Sequence, residues 1–194
     1  PKTAYEIASC LVGSEMCIRD RSMPQVHIVP LCIDNGFGLA VGTEILSFML
    51  FAAVTSRVLF GLLSDKIGPI QTLILGSTLQ AISLSMFLPF NSQISLYIVA
   101  ICFGLSQGGI VPIYAVIISK LLPENEVAER VGLLIFATII GMSLGGWLSG
   151  LIYDYTNSYQ MAFLNGIFWN LVNLSIMVYL FLKYQQSIKR VVKT

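Results

Sequence analysis

Five apolar segments, 43–64, 72–89, 94–119, 131–153 and 161–182, follow one another along the chain with only short loops between them. An α-helix rises about 1.5 Å per residue and the hydrocarbon core of a bilayer is about 30 Å thick, so about 20 such residues cross it once. Only helices and closed barrels satisfy their own backbone polar groups in lipid, and continuous apolar runs of this length suit helices. The pattern predicts an all-α membrane protein with five complete transmembrane helices. A shorter apolar stretch at 24–39 predicts a partial helix ahead of them, and the loops leave no room for a soluble domain.

Composition narrows the function classes. Of 194 residues, 56% are hydrophobic and 11% charged, whereas soluble domains carry roughly a quarter charged residues. The net charge of +1, with no basic patch interleaved with aromatics, points away from nucleic acid. A single histidine and no H-E-x-x-H spacing supply no metal site for intramembrane catalysis, and there is no P-loop for ATP. The chain is expected to be no enzyme and to need no cofactor.

Lys2, Glu6, Glu15, Arg19, Asp20 and Arg21 crowd the first 22 residues with charge. The run L-V-G-S-E-M-C-I-R-D-R at 11–21 is similar to a translated sequencing-adapter peptide, so residues 1–22 are expected to be an artefactual or disordered leader outside the fold. Cys10 and Cys17 belong to it. Cys32 and Cys102 stand singly in apolar sequence and are expected to be buried small hydrophobes, with no spacing for a disulfide or metal pair.

Lysine and arginine set the expected orientation. Lys66 lies between the first two complete spans, Lys120 and Arg130 flank the loop between the third and fourth, and Lys183, Lys189, Arg190 and Lys193 follow the last. The alternate loops carry none. The positive-inside rule then places the 65–68 turn, the 121–129 loop and the basic tail 186–194 in the cytoplasm.

Within the spans, Arg57 is the charge that matters most. An arginine at membrane depth costs roughly 2.5 to 3.5 kcal/mol on insertion scales and is rarely left facing lipid, so it should face protein or a water-filled cavity. Its planar fork of donors suits a carboxylate in a way that lysine cannot reproduce. Gln107 and Tyr114, seven residues apart, share a helical face beside the flexible stretch Gly104, Gly108, Gly109 and Pro112, and are expected to line the same path. Gly141, Gly145, Gly146 and Gly150 form two overlapping small-residue packing motifs. Asn165 and Asn173 are expected to hydrogen-bond between helices. His27 and Asp34 are also seven apart, nearly on one face of a continuous helix, and a histidine with a nearby acid can carry a proton. Glu44, just past an expected turn at Gly42, suits the positive end of the next helix.

The sharpest local pattern is G-L-L-S-D-K-I-G at 61–68. It resembles the signature G-x-x-x-D-[R/K]-x-G between the eighth and ninth helices of the major facilitator superfamily, without the basic residue that often follows at Pro69. The resemblance covers residues 23–185. It implies the C-terminal six-helix half of a twelve-helix carrier that works by alternating access, its partners being the lipid bilayer, a small-molecule substrate and the N-terminal half of the same carrier. Gly61, Asp65, Lys66 and Gly68 would form the gating turn.

Residues 51–61 resemble the monocarboxylate-porter and oxalate/formate-antiporter branch, where an arginine of the eighth helix pairs with a substrate carboxylate. Arg57 stands at that position. Ala53 replaces the aspartate found one turn earlier in the animal porters, and 131–153 holds none of the cations that would receive a second carboxylate. The resemblance therefore implies an organic anion, a monocarboxylate above all. Val26, His27, Asp34 and Gly36 are similar to a V-H-x-x-x-x-x-x-D-x-G pattern of bacterial members, which implies proton coupling and a bacterial inner membrane. A carrier of a neutral solute and a non-transporting sensor of the same fold stay open as alternatives.

Overall fold

In the computed structural model the described residues are 22–89, 92–121 and 124–191, and among them no strand occurs. Seven helical stretches follow in order: α1 over 22–34, then α2 Gly38–Ile67, α3 Pro69–Met86, α4 Gln93–Gln107, α5 Ile110–Leu121, α6 Glu124–Thr156 and α7 Tyr159–Val191. Of the expected leader 1–22, residues 1–21, with Cys10 and Cys17, lie outside the described residues, while Ser22 is buried at the start of α1; the side chains of Lys120 and of the basic tail also lie outside them.

The first turn falls earlier than the sequence suggests. The Gly36 N–H bonds the Ile33 carbonyl at 2.9 Å and the Phe37 N–H bonds the Cys32 carbonyl at 2.9 Å, while Gly36 sits at φ 79°. That pair of bonds around a left-handed glycine is the Schellman ending, which satisfies the last carbonyls of α1. Gly42, expected to be the turn, is instead buried inside α2, where a Cβ would stand 3.0 Å from the Val29 Cα. Its missing side chain serves the approach of α1, not a reversal. At the other end of α2, Gly68 adopts φ 92° and its N–H reaches the Ser64 carbonyl at 3.0 Å. Pro69 follows at the first position of α3, where a missing N–H has no intrahelical partner to lose.

Helices run past the apolar windows that predicted them. Asp65 and Lys66 belong to the last turn of α2, α6 starts at Glu124 and α7 continues to Val191. Hydropathy marks the part of a helix that lipid would surround, whereas backbone hydrogen bonding continues until a cap or a proline ends it. The stretch Gln93–Ser119 contains the expected interruption: α4 ends at Gln107 and α5 begins at Ile110. Pro112 falls in the first turn of α5, the tolerated place for it.

Among the described residues, four helices are long and apolar enough to cross a membrane: Gly38–Ile67, Gln93–Ser119, Glu126–Thr156 and Tyr159–Tyr179. The expected count of five complete spans is corrected at α3, which carries two glutamines and five hydroxyl side chains in 18 residues. Its polar groups Thr72, Ser77, Gln80 and Ser83 are buried. α3 hides a polar stripe inside the bundle, and that stripe lowers its overall apolarity.

The interior has two apolar clusters. One joins α1, α2, α4 and the facing ends of α3 and α7 through Ile28, Met49, Leu84, Phe103 and Phe163. The other joins the opposite ends through Phe60, Leu73, Ile113, Tyr114, Leu134 and Met177. Between them lie buried polar groups: Ser56 on α2, Ser77 and Gln80 on α3, Ser106 and Gln107 on α4, Asn170 and Asn173 on α7. The antiparallel register of α3 and α7 is fixed at two points, the 3.5 Å contact from the Asn173 amide to the Ser77 hydroxyl and the Phe87–Phe163 stack at 5.0 Å. The same register sets Gln80 opposite Asn170.

Candidate functional site

The scaffold beneath Arg57 is the crossing of α2 over α4. A methyl group at Gly104 would collide with the Met49 carbonyl oxygen, at Gly108 with the Ala53 carbonyl oxygen, and at Gly109 with the Phe60 side chain. Backbone therefore meets backbone, as small residues allow between membrane helices. Ser56 adds a hydrogen bond to the Leu105 carbonyl at 2.5 Å. Arg57, the next residue, borders this buried stripe and is exposed, as are Val54 and Val58. It lies about 28 Å along α2 from Gly38 and about 15 Å from Ile67, so it sits well inside the helix. Ser56→Ala is expected to destabilise the protein by about 1 to 2 kcal/mol, read as a lower thermal midpoint in detergent.

The other expected site residues are distributed differently. Gln107 is fully buried, and the Gln25 amide of α1 donates to its Oε1 at 3.4 Å. Tyr114 is fully buried in the second apolar cluster. Arg57 thus stands on an open side of this chain, while Gln107 and Tyr114 lie inside it. Asp65 and Lys66 are exposed beside the Gly68 reversal, and at Gly61 an added Cβ would meet open space.

The glycines of α6 pack less closely than those of α4. A Cβ at Gly146 would touch Val26 at 3.6 Å, an ordinary contact, and at Gly150 would meet nothing within 4 Å. Gly141 and Gly145 are buried. Cys32 is buried as expected, whereas Cys102 is exposed on the outer flank of α4, where an apolar thiol is at home in a hydrocarbon environment.

His27 and Asp34 do lie on one continuous helix. His27 is buried, in reach of the Gly146 backbone, and its Nε2 has no hydrogen-bond partner among the described residues. Asp34 is exposed and its Oδ2 accepts the Tyr153 hydroxyl at 2.7 Å. Tyr153 stacks on Tyr159 at 4.3 Å, and the Tyr159 ring is tilted against His27 at 6.1 Å. Glu44 has a similar partner, accepting the Tyr97 hydroxyl at 2.7 Å, with Phe48 edge-on to that ring. Sequence reasoning missed Gln25, Ser56, Tyr97, Tyr153 and Tyr159. The available signal for the tyrosines was their place at helix ends, where aromatic side chains gather at membrane interfaces.

Comparison with known proteins extends these observations. Monocarboxylate transporter 13 of Rattus norvegicus is 28% identical over 165 residues, covering 84% of this chain and 37% of that protein. The MFS-type transporter opdF of Penicillium oxalicum is 29% identical over 142 residues, covering 69% of this chain and 34% of the fungal protein. The chain thus spans little more than a third of the length of these relatives. The crystal structure of the POT family transporter PepTSo superposes with a TM-score of 0.78 at 14% identity, over 90% of this chain and 37% of that one, a likeness of fold. The sequence model described as Major Facilitator Superfamily matches residues 23–193, nearly everything after the charged leader, and on that match the chain belongs to the superfamily.

Proposed function

We propose that the chain forms the C-terminal part of a secondary carrier that moves a small organic anion, a monocarboxylate, by alternating access with protons as the coupling ion. It is an integral, multi-pass membrane protein, by its family and its apolar helices. The observation that carries the reading is Arg57, a cation on the open side of α2, deep within a helix whose backbone is packed tightly on α4. A guanidinium held there offers a carboxylate two parallel hydrogen bonds where water is scarce. Relatives that are monocarboxylate transporters support the same class of substrate.

Residues 131–156 contain no lysine, arginine or histidine, so a second carboxylate would find no cation on that apolar part of α6, Arg130 lying at its charged first turns. His27 and Asp34 are the proton-coupling candidates, with Gln107 and Tyr114 as further substrate contacts once helices shift. Asp65 and Lys66 at the Gly61–Gly68 turn are the gating candidates, and the Lys66 end is cytoplasmic in this reading. The uncovered faces of α2 and α6 suit a second six-helix half.

The test is uptake by the full-length carrier in proteoliposomes, with labelled lactate as probe and an imposed pH gradient. Expected are acceleration by an inward proton gradient and competition by other monocarboxylates, with little competition from dicarboxylates or neutral analogues. Competition by the neutral analogues as strong as by the acids would overturn the reading.

A further inference from the structure

At the end of the bundle away from the 61–68 turn, α1, α6 and α7 meet through side chains that are distant in sequence. Tyr153 of α6 donates to the Asp34 carboxylate of α1 at 2.7 Å across 119 residues. Its ring stacks on Tyr159 of α7 at 4.3 Å with 27° between the planes. Beyond Tyr159 lies buried His27, 6.1 Å away ring to ring, with Nε2 unpartnered among the described residues. Asp34 is the last helical residue before the Schellman turn, so its backbone is fixed and a pull on its carboxylate acts on the end of α1.

We infer that Tyr153 is a positioning residue of the transport cycle: through the ionised Asp34 it holds the end of α1 against α6 and α7, and it releases that end when Asp34 takes up a proton. This rests on the reading of Asp34 as a proton-coupling residue. A hydrogen bond to a charged carboxylate is roughly twice as strong as one to a neutral acceptor, so protonation weakens the clasp without breaking any other contact. The proton comes from solvent and stays on the Asp34 carboxyl, while Tyr153 keeps its own. Among the described residues the titratable groups around Asp34 are Tyr153 and Asp154 of α6, Tyr159 of α7 and His27 on its own helix. Glu44 of α2 is held separately by Tyr97. Tyr159 supports the clasp as a platform, because its ring is what Tyr153 lies on.

Cys32, fully buried two residues before Asp34, is a built-in reporter of release. In the full-length carrier with every cysteine other than Cys32 replaced by serine, labelling of Cys32 by a membrane-impermeant maleimide is measured against pH. Each rate is divided by that of the unfolded protein at the same pH. The parent should label slowly at neutral pH and faster at acidic pH. Tyr153→Phe, which keeps the stack and loses the hydroxyl, should label about tenfold faster at neutral pH and respond little to acid. Asp34→Asn, which stays neutral at every pH, should behave likewise and covers the case of a poorly folded phenylalanine variant.

Labelling of both variants at the parent's rate, with the parent's pH dependence, overturns the clasp. Proton-driven lactate uptake by Asp34→Asn separates the two ideas. If labelling is fast but proton-driven uptake persists, the coupling role of Asp34 fails and the clasp stands as a structural contact alone. If uptake is lost while labelling is unchanged, the coupling role stands and the clasp fails.

Discussion

Arg57→Lys is expected to lower monocarboxylate uptake by the full-length carrier at least about tenfold, and Arg57→Ala further. On the proposed reading both variants would lose a bidentate hydrogen bond between guanidinium and carboxylate, and hydrogen bonds to charged groups contribute about 1.5 to 3 kcal/mol each. Lysine restores the charge as a single point and so recovers only part of the attraction. The substitution leaves the α2–α4 crossing intact, because Arg57 is exposed while its neighbour Ser56 makes the buried bond to Leu105. Unchanged thermal midpoints with reduced uptake are the expected pair of observations. Near-normal uptake by the lysine variant would remove the case for a carboxylate fork.

The largest effect on stability is expected at Gly108. A Cβ there would clash with the Ala53 carbonyl oxygen, which is backbone and cannot rotate aside. Gly108→Val must therefore push α2 from α4, stretching the Ser56–Leu105 bond and opening space along both apolar clusters. Overpacking alone costs about 1 to 3 kcal/mol, and the lost contacts bring the expected destabilisation to about 3 kcal/mol or more. Poor monodispersity and a markedly lower midpoint in detergent are the readouts. Gly150→Ala, placed in open space, is the control and should change stability by less than about 0.5 kcal/mol.

The contrast between these glycines bears on what the sequence could reveal. Long apolar segments made the helices legible, because every backbone group in lipid must be bonded within its own helix. The Gly68 reversal and the Gly108–Pro112 interruption were legible too, since glycine beside proline or in pairs disturbs a helix from within. Which glycine served a turn and which served packing was not legible: Gly36 ends α1, whereas Gly42 lets Val29 approach. That choice is made by a neighbouring helix. The α6 motifs had the familiar spacing, yet the tight crossing formed at α4, where Ala53 and Met49 present carbonyls.

The polar contacts were hidden for the same reason. Asp34 and Glu44 were visible as isolated acids, but their partners Tyr153 and Tyr97 lie 119 and 53 residues away. No local pattern links them. Gln25, whose amide meets Gln107, sits in a stretch read only as part of a partial span. Arg57 could be singled out because a lone cation in an apolar run is conspicuous by itself, whatever surrounds it.

The polar stripe of α3 has a consequence for biogenesis. As it leaves the ribosome, α3 presents Thr72, Ser77, Gln80 and Ser83 before α7, which carries the facing Asn170 and Asn173, has been synthesised. A segment so supplied with amides and hydroxyls partitions from the translocon into lipid less readily than its neighbours, since each such group leaves water without a partner. Stable insertion of α3 is therefore completed by a helix made after α4, α5 and α6. Chain order and assembly order differ, and the last helix acts on the topology of one that precedes it.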